Sequence, residues 1–166
     1  MKNYFILLLF VSLSSCYGKK PKANATGKEG KLMPAFSMLL SDSTTFFNTA
    51  NIPPGRPSVL FLFGPHCPYS KAQMKVILQN MDKLKDIHFY LITNYPVPDM
   101  RQFYSEFQLS KYPNITIGQD TSSFFTDYLE IPGVPFMAFY DKNKKLKKTF
   151  IGKIYSNVII SSIEDK

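Results

Sequence analysis

Cys67 stands where a thiol can be made reactive. The run Ser58-Val59-Leu60-Phe61-Leu62-Phe63 reads as a buried strand that passes through Gly64-Pro65-His66 into Cys67-Pro68-Tyr69-Ser70 and then into a helical pattern. A cysteine at a strand-to-helix turn sits on the helix N-terminus, where unpaired N–H groups and the helix dipole favour a thiolate, the form that attacks disulfides. Two-thiol exchange needs a second cysteine three residues on, to release the mixed disulfide that the first one makes. Here that position is Ser70, whose hydroxyl is too weakly acidic for the task but can donate a hydrogen bond to a Cys67 thiolate. Three single-thiol chemistries stay open: isomerisation within one disulfide-bonded substrate, exchange with a small-molecule or partner-protein thiol, and oxidation to sulfenic acid followed by external reduction. The opposing reading is a redox-silent binding or chaperone-like module.

The chain has two cysteines, and the other one, Cys16, belongs to an address. Lys2 gives a positive start, Tyr4 to Val11 is an unbroken apolar run, and Leu13-Ser14-Ser15-Cys16 follows. That run falls well short of the ~20 residues a helix needs to cross a hydrocarbon core, so 1–15 reads as a signal peptide. Leu-Ser-Ser-Cys resembles the bacterial lipobox, whose cysteine is acylated and becomes the new N-terminus; an ordinary signal peptide with a cysteine at its cleavage site is the alternative. Lipidation at Cys16 would anchor the chain to an envelope membrane, facing the periplasm, without a membrane span. Cys67 would then be the one thiol left, so any disulfide chemistry must involve another molecule.

Residues 16–31 carry Gly18, Lys19, Lys20, Pro21, Lys22, Gly27, Lys28 and Gly30 with little apolar content, the composition of a flexible tether. Residues 32–166 have the length of one domain and show no internal repeat. The formal charge of +8 invites a nucleic-acid reading. The cations are nearly all lysines, gathered in the tether and at Lys142, Lys144, Lys145, Lys147 and Lys148, and Arg56 and Arg101 are the only arginines. Bidentate phosphate contacts favour arginine, and an exported chain rarely meets nucleic acid. Solvated lysines beside an anionic membrane account for the charge.

The elements that must position Cys67 follow from pattern. Leu32 to Leu40 and Thr45 to Phe47 read as strands around a Ser41-Asp42-Ser43 turn, and Asn51 to Gly55 as a loop. Pro68 fits the first helical position, and Met74, Ile77, Leu78 and Met81 recur at helical spacing. Ile87 to Ile92 is a second apolar strand, with His88 structural. Asp99 is placed to cap the next helix, with Gln102 three residues on as in a capping box and Phe103 and Phe107 on its apolar side. Asn114 to Ile117 is a short strand or extended linker, Ser122 to Leu129 a short helix, and Val134 to Tyr140 and Leu146 to Ile151 a hairpin about Asp141-Lys142-Asn143-Lys144. Tyr155 to Glu164 closes as a helix. The sequons at Asn24 and Asn114 have no consequence in a bacterial lipoprotein.

This order, with Cys67 at the first strand–helix turn and a proline before the hairpin, resembles the thioredoxin fold, and within it the membrane-anchored redoxins of the TlpA-like and alkyl-hydroperoxide-reductase/thiol-specific-antioxidant group. Phe61 to Ser70 and Ile131-Pro132-Gly133-Val134-Pro135-Phe136 carry the resemblance, which covers about Leu32 to Lys166. It implies an α/β fold with a central mixed β-sheet flanked by helices. Cys67 matches the attacking cysteine, supported by His66, Pro68, Tyr69 and Ser70. Pro135 matches a cis proline facing the sulfur, and the Val134 backbone would pair with an extended substrate. The implied partners are extracytoplasmic protein thiols or disulfides, with a monomeric chain and no cofactor. The departures are His66 in place of a tryptophan, Phe61 where thioredoxins often bury a carboxylate, Ser70 in place of the resolving cysteine, and no peroxidatic Pro-x-x-x-Thr-x-x-Cys. His66 with Met74 suggests copper, but copper-carrying relatives generally use two cysteines and a distant histidine, so no metal is expected.

Overall fold

A computed structural model describes residues 21–163. The expected signal peptide, 1–15, and the expected lipidation site, Cys16, lie outside the described residues.

Every residue of β3 (Ser58–Leu62) is buried, which explains a strand without polar alternation. Its side chains still sort by parity. Val59, Phe61 and the following Phe63 enter one core with Met74, Ile77, Met100, Phe103 and Ile159. Leu60 and Leu62 enter a second core with Met38, Tyr90, Ile92, Phe125 and Tyr140. The sheet therefore lies between two apolar layers, as a central sheet flanked by helices must.

β3 is followed by α1 (Pro68–Gln79) and α2 (Met81–Leu84), then β4 (His88–Thr93), α3 (Val97–Glu106) and β5 (Ile115–Gln119). β3–β4 and β4–β5 pair in parallel, with helices in the crossovers. α4 (Phe124–Tyr128) leads to the hairpin of β6 (Phe136–Tyr140) and β7 (Leu146–Ile151), and α5 (Ser156–Ile163) closes the described chain. With β1 (Ser37–Leu40) and β2 (Phe46–Asn48), the mixed seven-stranded sheet runs β2-β1-β5-β4-β3-β6-β7.

Several expectations about the elements need correction. The expected strand from Leu32 is ordered as β1 only from Ser37, after Pro34, which has no N–H for a ladder; Leu32 itself bridges Lys145. Asp99 does not cap α3. The helix starts earlier, at Val97, with Pro98 inside the first turn where its missing N–H costs nothing, so Asp99 lies within the helix and its side chain is used elsewhere. The helical pattern through Met81 is broken at Asn80, whose side-chain amide donates to the Val76 carbonyl at 2.9 Å.

The stretch with tether composition is docked along its second half. Asn24 N–H donates to the Thr149 carbonyl at 2.9 Å, and the Thr149 hydroxyl returns a bond to the Asn24 carbonyl at 2.8 Å. Gly30 N–H donates to Leu146 O, Leu146 N–H to Lys31 O, and Met33 N–H to Lys144 O. Between these points Glu29 accepts from the Thr26 N–H and hydroxyl. This strap covers the outer edge of β7.

Candidate functional site

The site grows from the C-terminal end of β3. Phe63 N–H still donates to Ile92 O at 2.9 Å, and the chain then leaves the sheet at Gly64. Cys67 N–H closes the turn on Gly64 O at 3.0 Å, and Lys71 N–H opens the helix on Cys67 O at the same distance. Cys67 is thus the N-cap of α1 and Pro68 its first residue. The thiol is partly exposed.

β6 pairs antiparallel with β3, Leu62 against Phe136, which brings Val134 and Pro135 across from Gly64. The Val134–Pro135 peptide is cis. Cys67 Sγ lies 3.8 Å from the Val134 carbonyl oxygen. The Pro135 carbonyl is tied to Gly152 N–H at 2.8 Å, so the loop is held from behind. Gly64 is where the two segments press together: a Cβ there would stand 3.2 Å from both Cys67 Cβ and Val134 Cγ2.

Burial pushes the Cys67 thiol up, but hydrogen bonds from the Ser70 N–H, the Ser70 hydroxyl and the Tyr69 N–H outweigh it and hold the thiol below its ordinary value. Ser70 is fully buried, and its oxygen accepts from Gly64 N–H at 3.2 Å, leaving its proton to donate. The serine therefore braces the turn as well as facing the sulfur.

His66 is exposed. Its Nε2 lies 3.3 Å from Asp99 Oδ1, and its ring meets Tyr95 edge-on at 5.9 Å. Asp99 and Tyr95 are the members of the site that the sequence did not point to. Asp99 carried a helix-capping pattern instead, and Tyr95 carried no signal. Beside the thiol, Tyr95 and Val134 share an apolar cleft of about 180 Å³ with Phe63, Ile131 and Gly133. Tyr69 is 66% exposed at the rim, where an aromatic face is open to a partner. Met74 is fully buried in the core behind α1, away from any ligand role. Among the described residues, no three His, Cys, Asp or Glu side chains converge on a point that could hold a metal ion.

No family model matches the chain, and no curated protein matches it. Solved structures do. A secreted disulfide oxidoreductase of Mycobacterium tuberculosis, homologous to Escherichia coli DsbE, superposes with a TM-score of 0.63 at 20% identity, over 76% of this chain and 92% of that one. The thioredoxin domain of a thiol-disulfide oxidoreductase from Bacteroides vulgatus gives 0.61 at 15% identity, over 81% and 94%. The fold is thioredoxin-like. StoA from Bacillus subtilis matches the thioredoxin-like domain with a TM-score of 0.58 at 16% identity, over 79% and 97%. At these identities the likeness establishes architecture; what the domain does rests on its own residues.

Proposed function

We propose that this chain is a lipid-anchored, extracytoplasmic thioredoxin-like protein that exchanges thiols and disulfides through Cys67 alone. The observation that carries the reading is the placement of Cys67 Sγ: at the N-terminus of α1, against Val134 O, with hydrogen-bond donors gathered on the thiolate. The names of the neighbouring structures, oxidoreductases of disulfides, support the reaction class.

The Cys67 thiolate attacks one sulfur of a substrate disulfide. The substrate S–S bond breaks, a Cys67–substrate disulfide forms, and the second substrate sulfur leaves as thiolate. A thiol of the same substrate, or of a separate reductant, then attacks the mixed disulfide and returns Cys67 to thiolate. The first route isomerises the substrate with no net redox change; in the second the reductant's sulfur takes over the disulfide to the substrate and a second reductant thiol displaces the substrate thiolate, so that the substrate gains two electrons and the reductant leaves as its own disulfide. Val134, ahead of Pro135, offers main chain to an extended substrate, and the cleft between Tyr95 and Ile131 takes an apolar side chain next to the reacting cystine. His66, Pro68, Tyr69 and Ser70 shape the approach. Cys16 supplies the lipid anchor, on the periplasmic side of the envelope.

The test is the pH dependence of Cys67 alkylation. Its midpoint is expected below that of a free thiol at ~8.5, with mixed disulfides trapped on added disulfide substrates. A thiol that titrates like the free one, or resists alkylation, would leave a redox-silent binding module instead.

A further inference from the structure

A broad concavity lies at the opposite end of the sheet from Cys67. Its volume of about 540 Å³ falls in the range of small-molecule clefts. The parallel strands enter the sheet there: Arg56 lies just before β3, His88 opens β4, and Tyr112, Pro113 and Asn114 precede β5. The end of α1 and α2 supply the remaining wall.

Charge and shape on this cleft point the same way. Arg56, Lys85 and Lys111 line it with a single acid, Asp82. Ion pairs among the described residues join His66 to Asp99 and Lys71 to Glu106, so none of these three cations is held in an ion pair. Lys111 donates instead to the neutral amide of Gln108. Leu78, Met81, Tyr112 and Pro113 give the same cleft an apolar side. The frame is held in place: the Asn114 amide donates to Ile87 O at 2.9 Å and Leu84 O at 3.4 Å. The His88 ring stacks on Tyr90 at 4.4 Å, with Nε2 2.9 Å from the Thr116 hydroxyl.

We infer that this cleft binds a small organic anion, its phosphate or carboxylate head between Arg56, Lys85 and His88 and its ring-sized apolar body against Tyr112, Pro113 and Met81. Cations left without carboxylates beside an apolar wall match an amphipathic anion; they do not match a neutral peptide. The site is distinct from the thiol site, because none of the residues that line it belongs to the turn that carries Cys67.

The chain carries its own reporters. It has two histidines, His88 in the cleft and His66 beside Cys67. Burial and then the Arg56 charge hold His88 below its ordinary value, so the ring is neutral at neutral pH and an anion beside it favours the imidazolium. The groups facing it are Arg56, Asp82, Lys85, Lys111, Tyr112 and Thr116, with Tyr90 behind the ring. The experiment follows both imidazole signals by NMR in the full chain, made as Cys16→Ser to keep it free of lipid, during titration with phenyl phosphate, inorganic phosphate and phosphatidylglycerol vesicles.

Saturable movement of His88 alone by phenyl phosphate, with its titration midpoint raised, is the expected result. Inorganic phosphate should bind more weakly, and Arg56→Gln with Lys85→Gln should weaken phenyl phosphate by about tenfold or more, as two charge-assisted contacts are lost. Both side chains are exposed, so the fold survives the exchange, and an unmoved His66 signal checks it. Parallel movement of both histidines, no saturation, or a response to vesicles alone overturns the inference. Equal binding of the two phosphates overturns the role of the apolar wall.

Discussion

Ser70 stands where a two-thiol site would carry its second cysteine, fully buried and with a structural bond of its own. Ser70→Ala removes both the acceptor for Gly64 N–H and a donor to the thiolate. A buried donor left unpaired costs about 1–3 kcal/mol, so chemical denaturation should show that loss while the alkylation midpoint of Cys67 rises. Ser70→Cys should instead release the mixed disulfide internally, so that the trapped species expected of the native chain does not accumulate. The lowered Cys67 value also has a stability signature. A group whose folded value lies below its unfolded one stabilises the fold above the unfolded value, and that gain is lost as pH falls through the folded value. The native chain should therefore gain on Cys67→Ser as pH rises toward the free-thiol value of about 8.5, with the gain complete above it. Cys67, Pro68, Ser70, Val134 and Pro135 were legible because each lies in a local pattern of strand, turn or helix start. The pairing of His66 with Asp99 and Tyr95 was not, since it joins the turn before α1 to the start of α3 across space.

Among the elements, β3 and the β6–β7 hairpin could be read because burial and turn chemistry write themselves into residue type. β5 was harder. Its expected form was a short stretch ending at Ile117, yet it runs to Gln119 inside the sheet, between β4 and β1. Gly118 hides it: a glycine carries no strand signal, but here it is required by close approach, because a Cβ would stand 2.7 Å from Met38 Cβ and 3.3 Å from Leu39 O. Gly118→Ala should cost about 1–3 kcal/mol by overpacking, measurable as a lower urea midpoint, with Cys67 alkylation unchanged. The strap along β7 was illegible for a related reason. Its contacts are mostly made by main chain, which composition does not report, and its Lys and Gly content imitates a free linker. The lysines of the hairpin are likewise less idle than expected: Lys144 Nζ reaches the carbonyls of Thr49 and Ala50.

At the scale of the whole molecule, that strap decides where the domain begins. β7 is the last strand of the sheet, and without residues 24–33 its outer N–H and C=O groups would be bare. An uncovered edge is a template for another chain. A chain trimmed to start at Leu32 should dimerise or aggregate, whereas one starting at Lys22 should sediment as a single species. The same docking sets a height. Eight links separate Cys16 from Asn24, where the strap is first tied to β7, and at ~3.3–3.6 Å per residue they extend to at most about 29 Å. On the proposed anchoring, the thiol reaches no higher above the bilayer than that length plus the span of the domain from Asn24 to Cys67. Two disulfides of equal reactivity would then be treated unequally, the one held near the lipid surface being within range and the one carried on a taller protein beyond it; the strap makes altitude a selector of substrates.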